Sequence, residues 1–211
     1  MKENKNNILF LVQFSVLLAI EALVCFTPLG SIPIGPLVAT IALIPVTITS
    51  IVLGTKAGSL MGFFAGLFSF MVWTFAPPNP LTAFVFTPFY QVGEFSGNFS
   101  SLIICFVPRI LTGTIAGLLF NLFKNLMGKR KDVLYYSIIG VASSLVNTVG
   151  VLCGIYIFFG KSYATTLGVD YTLLLGLIMS TVLTNGVLEA VLSAVGSYGI
   201  AKPIRKYVNK Y

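Results

Sequence analysis

The sequence contains no histidine and very little charge. Only 9% of its 211 residues are aspartate, glutamate, lysine or arginine, whereas about 25% is usual for a soluble domain. So few charges could not cover the surface of a soluble fold, and lipid is the remaining solvent. The three cysteines, Cys25, Cys105 and Cys153, have no C-x-x-C spacing. Without histidine they form no recognisable metal or nucleophilic centre.

A phosphate-binding loop of the G-x-x-x-x-G-K-[ST] type is also missing from the sequence. The chain therefore has no means of hydrolysing ATP by that route. Two carboxylates lie within apolar runs, but no known catalytic spacing surrounds them. We therefore expect no enzymatic activity and no cofactor.

Long apolar runs make up most of the chain, and 56% of the residues are hydrophobic. The runs do not alternate with polar residues, as strands of a membrane barrel would, and they are long enough to cross a bilayer as helices. We predict an all-α integral membrane protein, a six-transmembrane-helix bundle that forms one domain over residues 1–211. The predicted helices are 8–27, 36–53, 57–74, 101–124, 134–159 and 172–201, and the connection 75–100 is predicted to be a lid.

The basic residues predict the orientation of this bundle. Eleven of the thirteen lysines and arginines fall on one side, and the opposite side has only Lys161. Basic residues favour the cytoplasmic side, so we expect both termini in the cytoplasm and the 75–100 lid outside. The net charge of +7 follows from this topology and suits anionic lipid headgroups. No nucleic-acid partner is expected.

Three ionisable residues lie within the predicted helices: Glu21, Arg109 and Glu189. A charge inside a membrane is costly and is a candidate functional group by default. Arg109 lies roughly 12 Å below the outer surface, and its planar fork of donors suits a carboxylate or phosphate. The alternative is a structural ion pair with Glu21. Glu189 lies deeper and is expected to hydrogen-bond internally.

Polar and aromatic residues at similar depth complete a predicted substrate site around Arg109. Pockets for small molecules combine apolar walls with a few placed polar groups. The alternatives are an interfacial anchor for the tryptophan and interhelical hydrogen bonds for the asparagines. The predicted site consists of Arg109, Trp73, Asn147, Asn185, Tyr90 and Glu21.

A ladder of glycines four residues apart forms a smooth stripe along the third helix. Small residues at this spacing let another helix approach closely. The stripe serves either packing within the bundle or docking against a partner membrane protein. The residues expected to dock, with two small ones from the first helix, are Ser15, Ala19, Gly54, Gly58 and Gly62.

The chain resembles the substrate-binding S components of energy-coupling factor (ECF) transporters. The resemblance rests on the length, the six helices, the cytoplasmic termini and the loop between helices three and four. The run Val52-Leu53-Gly54-Thr55-Lys56-Ala57-Gly58 is similar to the family's short second turn, although the family often has proline at the position of Thr55. The family's alanines four apart in the first helix are approximated by Ser15 and Ala19.

This resemblance implies a mechanism. An S component captures a water-soluble vitamin from outside, docks on a membrane-embedded coupling subunit that carries two ATPase subunits, and tips to release the vitamin inside. The lack of a phosphate loop agrees with energy supplied by partners. A stand-alone secondary transporter, coupled to protons through Glu21 and Glu189, is an alternative, and so is an assembly protein that binds no small molecule.

Pantothenate is the best match among the vitamins. Its carboxylate suits Arg109, and its hydroxyl and amide groups suit Asn147 and Asn185. An S component for folate or riboflavin is the alternative, although folate is larger and has two carboxylates, and riboflavin has none. The resemblance to pantothenate S components is carried by Phe68-Ser69-Phe70, Trp73-Thr74-Phe75 and Phe84-Val85-Phe86-Thr87-Pro88-Phe89.

Overall fold

A computed structural model of the chain describes residues 2–34, 37–127 and 132–208, and most of them are helical. The prediction of an all-α membrane protein is confirmed at this level. In the described part, five helical stretches are long and apolar enough to cross a membrane: Asn7–Phe26, Thr55–Phe75, Phe99–Leu126, Val133–Thr166 and Tyr171–Arg205.

The elements follow one another in a simple order. The first half contains α1 (Lys2–Phe26), a 3₁₀ turn (Pro28–Gly30), β1 (Ser31–Ile34), β2 (Leu37–Thr40), α2 (Leu43–Leu53) and α3 (Thr55–Phe75). A 3₁₀ helix (Pro80–Val85), β3 (Gln91–Val92), β4 (Phe95–Ser96), α4 (Phe99–Met127) and α5 (Asp132–Thr166) come next. The last stretch runs through α6 (Tyr171–Thr181), a π turn (Val182–Gly186), α7 (Val187–Gly196), a second π turn (Ser197–Ala201) and α8 (Lys202–Val208).

The start of the predicted second helix, 36–53, is wrong. β2 occupies Leu37–Thr40, where it pairs antiparallel with β1, and α2 begins only at Leu43. Pro45 favours this start, because proline lacks an N–H and is best tolerated in the first turn of a helix. A helix from residue 36 would have placed Pro45 in its interior. With 11 residues, α2 is about 16 Å long, so it does not cross a bilayer core of about 30 Å alone.

α2 lies in the centre of the bundle and contacts α1, α3, α4, α5 and α7. A helix that is apolar on all sides belongs in an interior. Its hydroxyl groups bond to carbonyls one turn earlier, as Thr49 does to Pro45 at 2.8 Å. Ser50 also donates to the carbonyl of Gly113 on α4, at 2.8 Å. α2 is thus joined to its neighbours without exposing a polar group.

The glycine stripe on α3 packs against α4. A Cβ added at Gly62 would lie 2.3 Å from the carbonyl oxygen of Arg109, and one at Gly58 would lie 2.9 Å from that of Gly113. Both glycines are buried. The stripe therefore serves the bundle's own packing, which was one of the two alternatives.

This placement bears on the predicted docking residues. Gly58 and Gly62 have no surface left for a partner in this structure, so their docking role gains no support. Ser15 and Ala19 are exposed on α1. Gly54 connects α2 to α3 with a φ of 97°, a conformation that favours glycine. Ser15, Ala19 and Gly54 remain predicted docking residues.

Replacing Gly62 by alanine should destabilise the protein. Alanine normally strengthens a helix by about 1 kcal/mol relative to glycine, but here the new methyl group meets the backbone of α4, and overpacking costs about 1–3 kcal/mol. Gly176→Ala is the matched control, because nothing lies within 4 Å of a Cβ at that position. Thermal unfolding in detergent gives the melting temperature of both variants. A Gly62→Ala protein that melts at or above the wild-type temperature would contradict the packing.

Two apolar clusters divide the interior along its length. The first gathers under the connection between α3 and α4, and we call this end of the bundle the loop end. It includes Trp73, Phe84, Ile104, Phe159 and Leu174. The second lies at the opposite end, with Val46, Met61, Phe120, Tyr136 and Ile139 among its members.

The last helical stretch begins with a side-chain cap. Asp170 Oδ1 accepts hydrogen bonds from the backbone N–H and the hydroxyl of Thr172, each at 2.8 Å. The bond from the backbone N–H lowers the pKa of the Asp170 carboxyl. Such a cap satisfies donors that the first turn of a helix leaves free. It accounts for the start of α6 at Tyr171.

Candidate functional site

A cavity of about 70 Å³ lies between the two apolar clusters. On the scale of about 10–15 Å³ per water, it holds about five to seven water molecules. Mostly apolar walls with a few convergent polar groups are typical of small-molecule sites. The lining residues are Cys25, Thr40, Ala42, Leu43, Ala65, Ser69, Val72, Trp73, Phe86, Arg109, Asn147, Thr148, Val151, Leu152, Thr181, Asn185 and Glu189.

Arg109 is folded against its own helix. Pro108 lies within α4 and has no N–H, so the carbonyl of Ile104, four residues earlier, lacks its helical donor. Nη1 of Arg109 fills this gap at 3.2 Å and also donates to the carbonyl of Cys105 at 2.7 Å. The proline beside Arg109 thus creates the acceptor that holds its guanidinium group.

The other edge of the guanidinium group has N–H donors that make no hydrogen bond to the described residues. Nη2 donates to Ser69 Oγ on α3 at 3.1 Å. A guanidinium has five N–H donors, so one N–H on Nη2 and the N–H on Nε find no acceptor in the described part of the chain. These two groups form one side of the fork that binds carboxylates in a bidentate manner. Arg109 is only 5% exposed, so an anion placed there would be largely shielded from water.

The two predicted asparagines line the same cavity from different helices. Asn147 lies on α5 and is buried, and its Oδ1 accepts no hydrogen bond from any residue that the structure describes. Asn185 lies in the π turn Val182–Gly186, beside Thr181 at the end of α6. Single π turns occur often at functional sites because they displace the side chains that follow. A buried, unpaired amide oxygen is costly in an empty pocket and suits a ligand that donates to it.

Trp73 and the connection between α3 and α4 close the cavity at the loop end. Trp73 is buried and stacks on Phe86, with ring centroids 4.3 Å apart. The predicted lid is folded into the bundle, since Phe84 and Phe86 are buried and Ser101 Oγ donates to the carbonyl of Phe84 at 2.8 Å. Of this connection, Phe86 lines the cavity.

Tyr90 and Glu21 belong to the predicted site but do not line this cavity. Tyr90 packs against the loop-end cluster, and its carbonyl accepts from Gly97 N at 3.0 Å. Glu21 is fully buried on α1, where its Oε1 accepts from Cys25 Sγ at 3.2 Å. Cys25, the donor to Glu21, does line the cavity.

Glu21 and Arg109 are within electrostatic range of each other. Nevertheless, in residues 2–34, 37–127 and 132–208 the hydrogen bonds of the guanidinium group go to α4 and to Ser69. The alternative of a hydrogen-bonded ion pair between the two is therefore not formed here. Arg109 retains donors on its free edge.

Several lining residues had no distinctive signal in the sequence. Ser69, Thr148 and Thr181 are small hydroxyl residues inside apolar runs, a pattern that is common wherever helices pack. Glu189 did have a signal, as a carboxylate inside the membrane, and its expected internal hydrogen bonds are present. It accepts from Thr40 N and Thr148 Oγ1. Its place in the cavity wall was not foreseen.

The family model for the ECF transporter, substrate-specific component, matches residues 9–201. The chain belongs to this family, which confirms the resemblance seen in its sequence. The family is one of transporters rather than enzymes. Together with the five apolar helical stretches, this makes the chain a multi-pass membrane protein of bacteria.

Two similar proteins have names that specify a substrate. The chain is 32% identical over 175 residues to the pantothenic acid transporter PanT of Lactococcus lactis subsp. cremoris, which covers 82% of this chain and 81% of the relative. It is 29% identical over 198 residues to the pantothenate transporter PanT of Leuconostoc mesenteroides subsp. mesenteroides, covering 90% and 88%.

Proposed function

We propose that this chain is the substrate-binding subunit of an ECF-type importer and that its substrate is pantothenate. The observation that carries the proposal is the free edge of the buried Arg109 in this cavity. Both relatives bear the name of a pantothenate transporter. The cavity provides the chemistry that this substrate would need.

The substrate's functional groups match the polar groups that line the cavity. Pantothenate has one carboxylate, which the free Nε and Nη2 donors of Arg109 would bind in a site from which water is largely excluded. It also has two hydroxyl groups and an amide, which are donors for the Oδ1 of Asn147 and partners for Asn185. The small cavity favours such a ligand over folate, with its ring system and second carboxylate.

The proposed topology has six crossings, with both termini in the cytoplasm. In this arrangement the β1–β2 hairpin and α2 together make the second crossing, since α2 alone is too short. The loop end then faces outward, and the substrate would bind in the outer half of the bundle under Trp73 and Phe86. Release would occur inward, after the subunit docks on a membrane-embedded coupling subunit with two ATPase subunits.

Calorimetry on the purified chain in detergent, without ATP, tests the substrate. We expect pantothenate to bind at about one molecule per chain, since the structure offers one arginine-containing cavity of this kind in its described part. Riboflavin and folate are the comparison ligands. If riboflavin or folate gives a heat of binding and pantothenate does not, that vitamin is the substrate. If no vitamin gives a heat of binding, the proposal is rejected.

A transport assay separates the importer subunit from the stand-alone transporter. Proteoliposomes that contain only this chain should take up no pantothenate under a proton gradient, because its energy source lies in partner subunits. Uptake by the chain alone would contradict the proposal and favour a proton-coupled secondary transporter.

A further inference from the structure

Glu189 is a buried acidic residue that joins three separate parts of the fold. It lies in the first turn of α7 and is 5% exposed. Its Oε1 accepts from the backbone N–H of Thr40, at the end of β2, at 2.5 Å. Its Oε2 accepts from Thr148 Oγ1 on α5 at 2.7 Å. An acidic residue at this depth is costly, so two short hydrogen bonds to different segments call for an explanation.

The bond to Thr40 lies where the β1–β2 hairpin meets the cavity. Thr40, Ala42 and Leu43 all line the cavity, so this segment forms one of its walls. Apart from the pairing of its own strands, the hairpin mainly contacts the 3₁₀ turn Pro28–Gly30, the π turn Val182–Gly186 and α7. Glu189 therefore provides a polar anchor between the hairpin and the last helical stretch.

We propose that Glu189 is a positioning residue for the substrate pocket. It holds the end of β2 against α5 and α7, and the hairpin thereby closes one side of the cavity and retains the bound substrate. This inference rests on the proposed function for its substrate. The anchor itself, however, is formed without substrate, and it can be tested in the ligand-free protein.

The anchor works through hydrogen bonds, which makes glutamine an informative substitution. In Glu189→Gln, the side-chain oxygen still accepts from Thr40 N–H, and the new NH₂ group donates to Thr148 Oγ1. The Thr148 hydroxyl also lies 3.1 Å from the carbonyl of Ser144, to which it can then donate. Glutamine thus satisfies every partner without the charge. Methionine is similar in length but accepts no such bond, so Glu189→Met removes the anchor while filling the space.

Hydrogen–deuterium exchange of the ligand-free protein in detergent tests the anchor directly. Exchange in the peptide over residues 37–46 should rise about tenfold or more in Glu189→Met, as expected for the loss of a hydrogen bond to an acidic side chain. Glu189→Gln should stay within about twofold of the wild type, since it keeps that bond. Glu94→Gln, an exposed acidic residue between β3 and β4, is the control for loss of charge.

The kinetics of pantothenate binding test the consequence. In Glu189→Met the substrate should dissociate about tenfold faster or more, with association changed less than about threefold, because interactions that retain a ligand act mainly on dissociation. Glu189→Gln should behave as the wild type does. Loss of binding in Glu189→Gln would overturn the proposal, because the charge of Glu189 rather than its hydrogen bonds would then be required.

Unchanged exchange in Glu189→Met would also overturn the proposal. If Glu189→Met does not fold, Thr148→Val takes its place, because it frees one oxygen of Glu189 and loosens the anchor. In Thr148→Val, the rates of hydrogen exchange and of pantothenate dissociation should rise, but less than in Glu189→Met. If neither rate changes, the result counts against the anchor. If the wild type binds no pantothenate, the proposed function fails, while the exchange measurement still decides whether Glu189 anchors the hairpin.

Discussion

Replacing Arg109 by alanine is expected to weaken pantothenate binding by about 30-fold or more, which corresponds to about 2 kcal/mol. The loss follows from leaving a carboxylate in a buried site without its cation. Arg109 is 5% exposed and makes three hydrogen bonds that fix its guanidinium group. A ligand therefore meets donors that are already oriented, and little binding energy is spent in ordering them.

A neutral analogue separates ligand binding from damage to the fold. Pantothenol has a hydroxyl in place of the carboxylate, so it should bind the wild type much more weakly than pantothenate. In Arg109→Ala the two ligands should bind about equally, because the group that distinguishes them is gone. Non-additivity of the two changes is the signature of direct contact. If Arg109→Ala loses affinity for both ligands equally, Arg109 has a structural role instead, through its hydrogen bonds to Ile104 and Ser69.

Two further variants complete the test. Lys124→Ala removes an exposed positive charge from the same helix, far along α4, and should leave affinity unchanged. Arg109→Lys keeps the charge but cannot present a planar fork, so an intermediate affinity is expected. Wild-type affinity in Arg109→Ala would exclude the arginine from the substrate site.

Bulky residues on α1 are expected to abolish energised uptake while leaving binding intact. Ser15 and Ala19 lie one turn apart and are exposed, so they share a face of the helix. Small residues at this spacing allow a partner helix to approach closely. The double substitution Ser15→Trp and Ala19→Trp fills this face with two large rings. ATP-driven pantothenate uptake with the coupling module should fall to near background, and calorimetry should show unchanged affinity.

The control for this variant lies on the last helical stretch. Val191 and Val195 are also one turn apart and are 54% and 66% exposed. Tryptophans at these two positions would enlarge an exposed face of α7 instead of α1. The control protein should therefore transport as the wild type does. Equal loss of uptake in both double variants, or retention in the α1 variant, would exclude α1 as the docking helix.

The sequence by itself determined that the chain is a helical membrane protein with a polar site inside. Apolar runs of this length have few folded solutions in lipid, because every backbone group must bond within its own segment. Polar side chains within such runs are costly and tend to converge. For this reason Trp73, Arg109, Asn147 and Asn185 could be selected before their positions were known, and the structure brings all four to one cavity.

Only the tertiary structure decided which neighbour each group meets. The strands Ser31–Ile34 and Leu37–Thr40 lie in a short apolar segment, whose periodicity cannot distinguish a strand from the start of a helix. The glycine stripe defined a face of α3, but helical spacing does not say whether that face meets α4 or a partner. Glu189 and Thr40 are 149 residues apart, and no local rule relates them. Such contacts depend on how the helices pack, and that is a property of the assembled bundle.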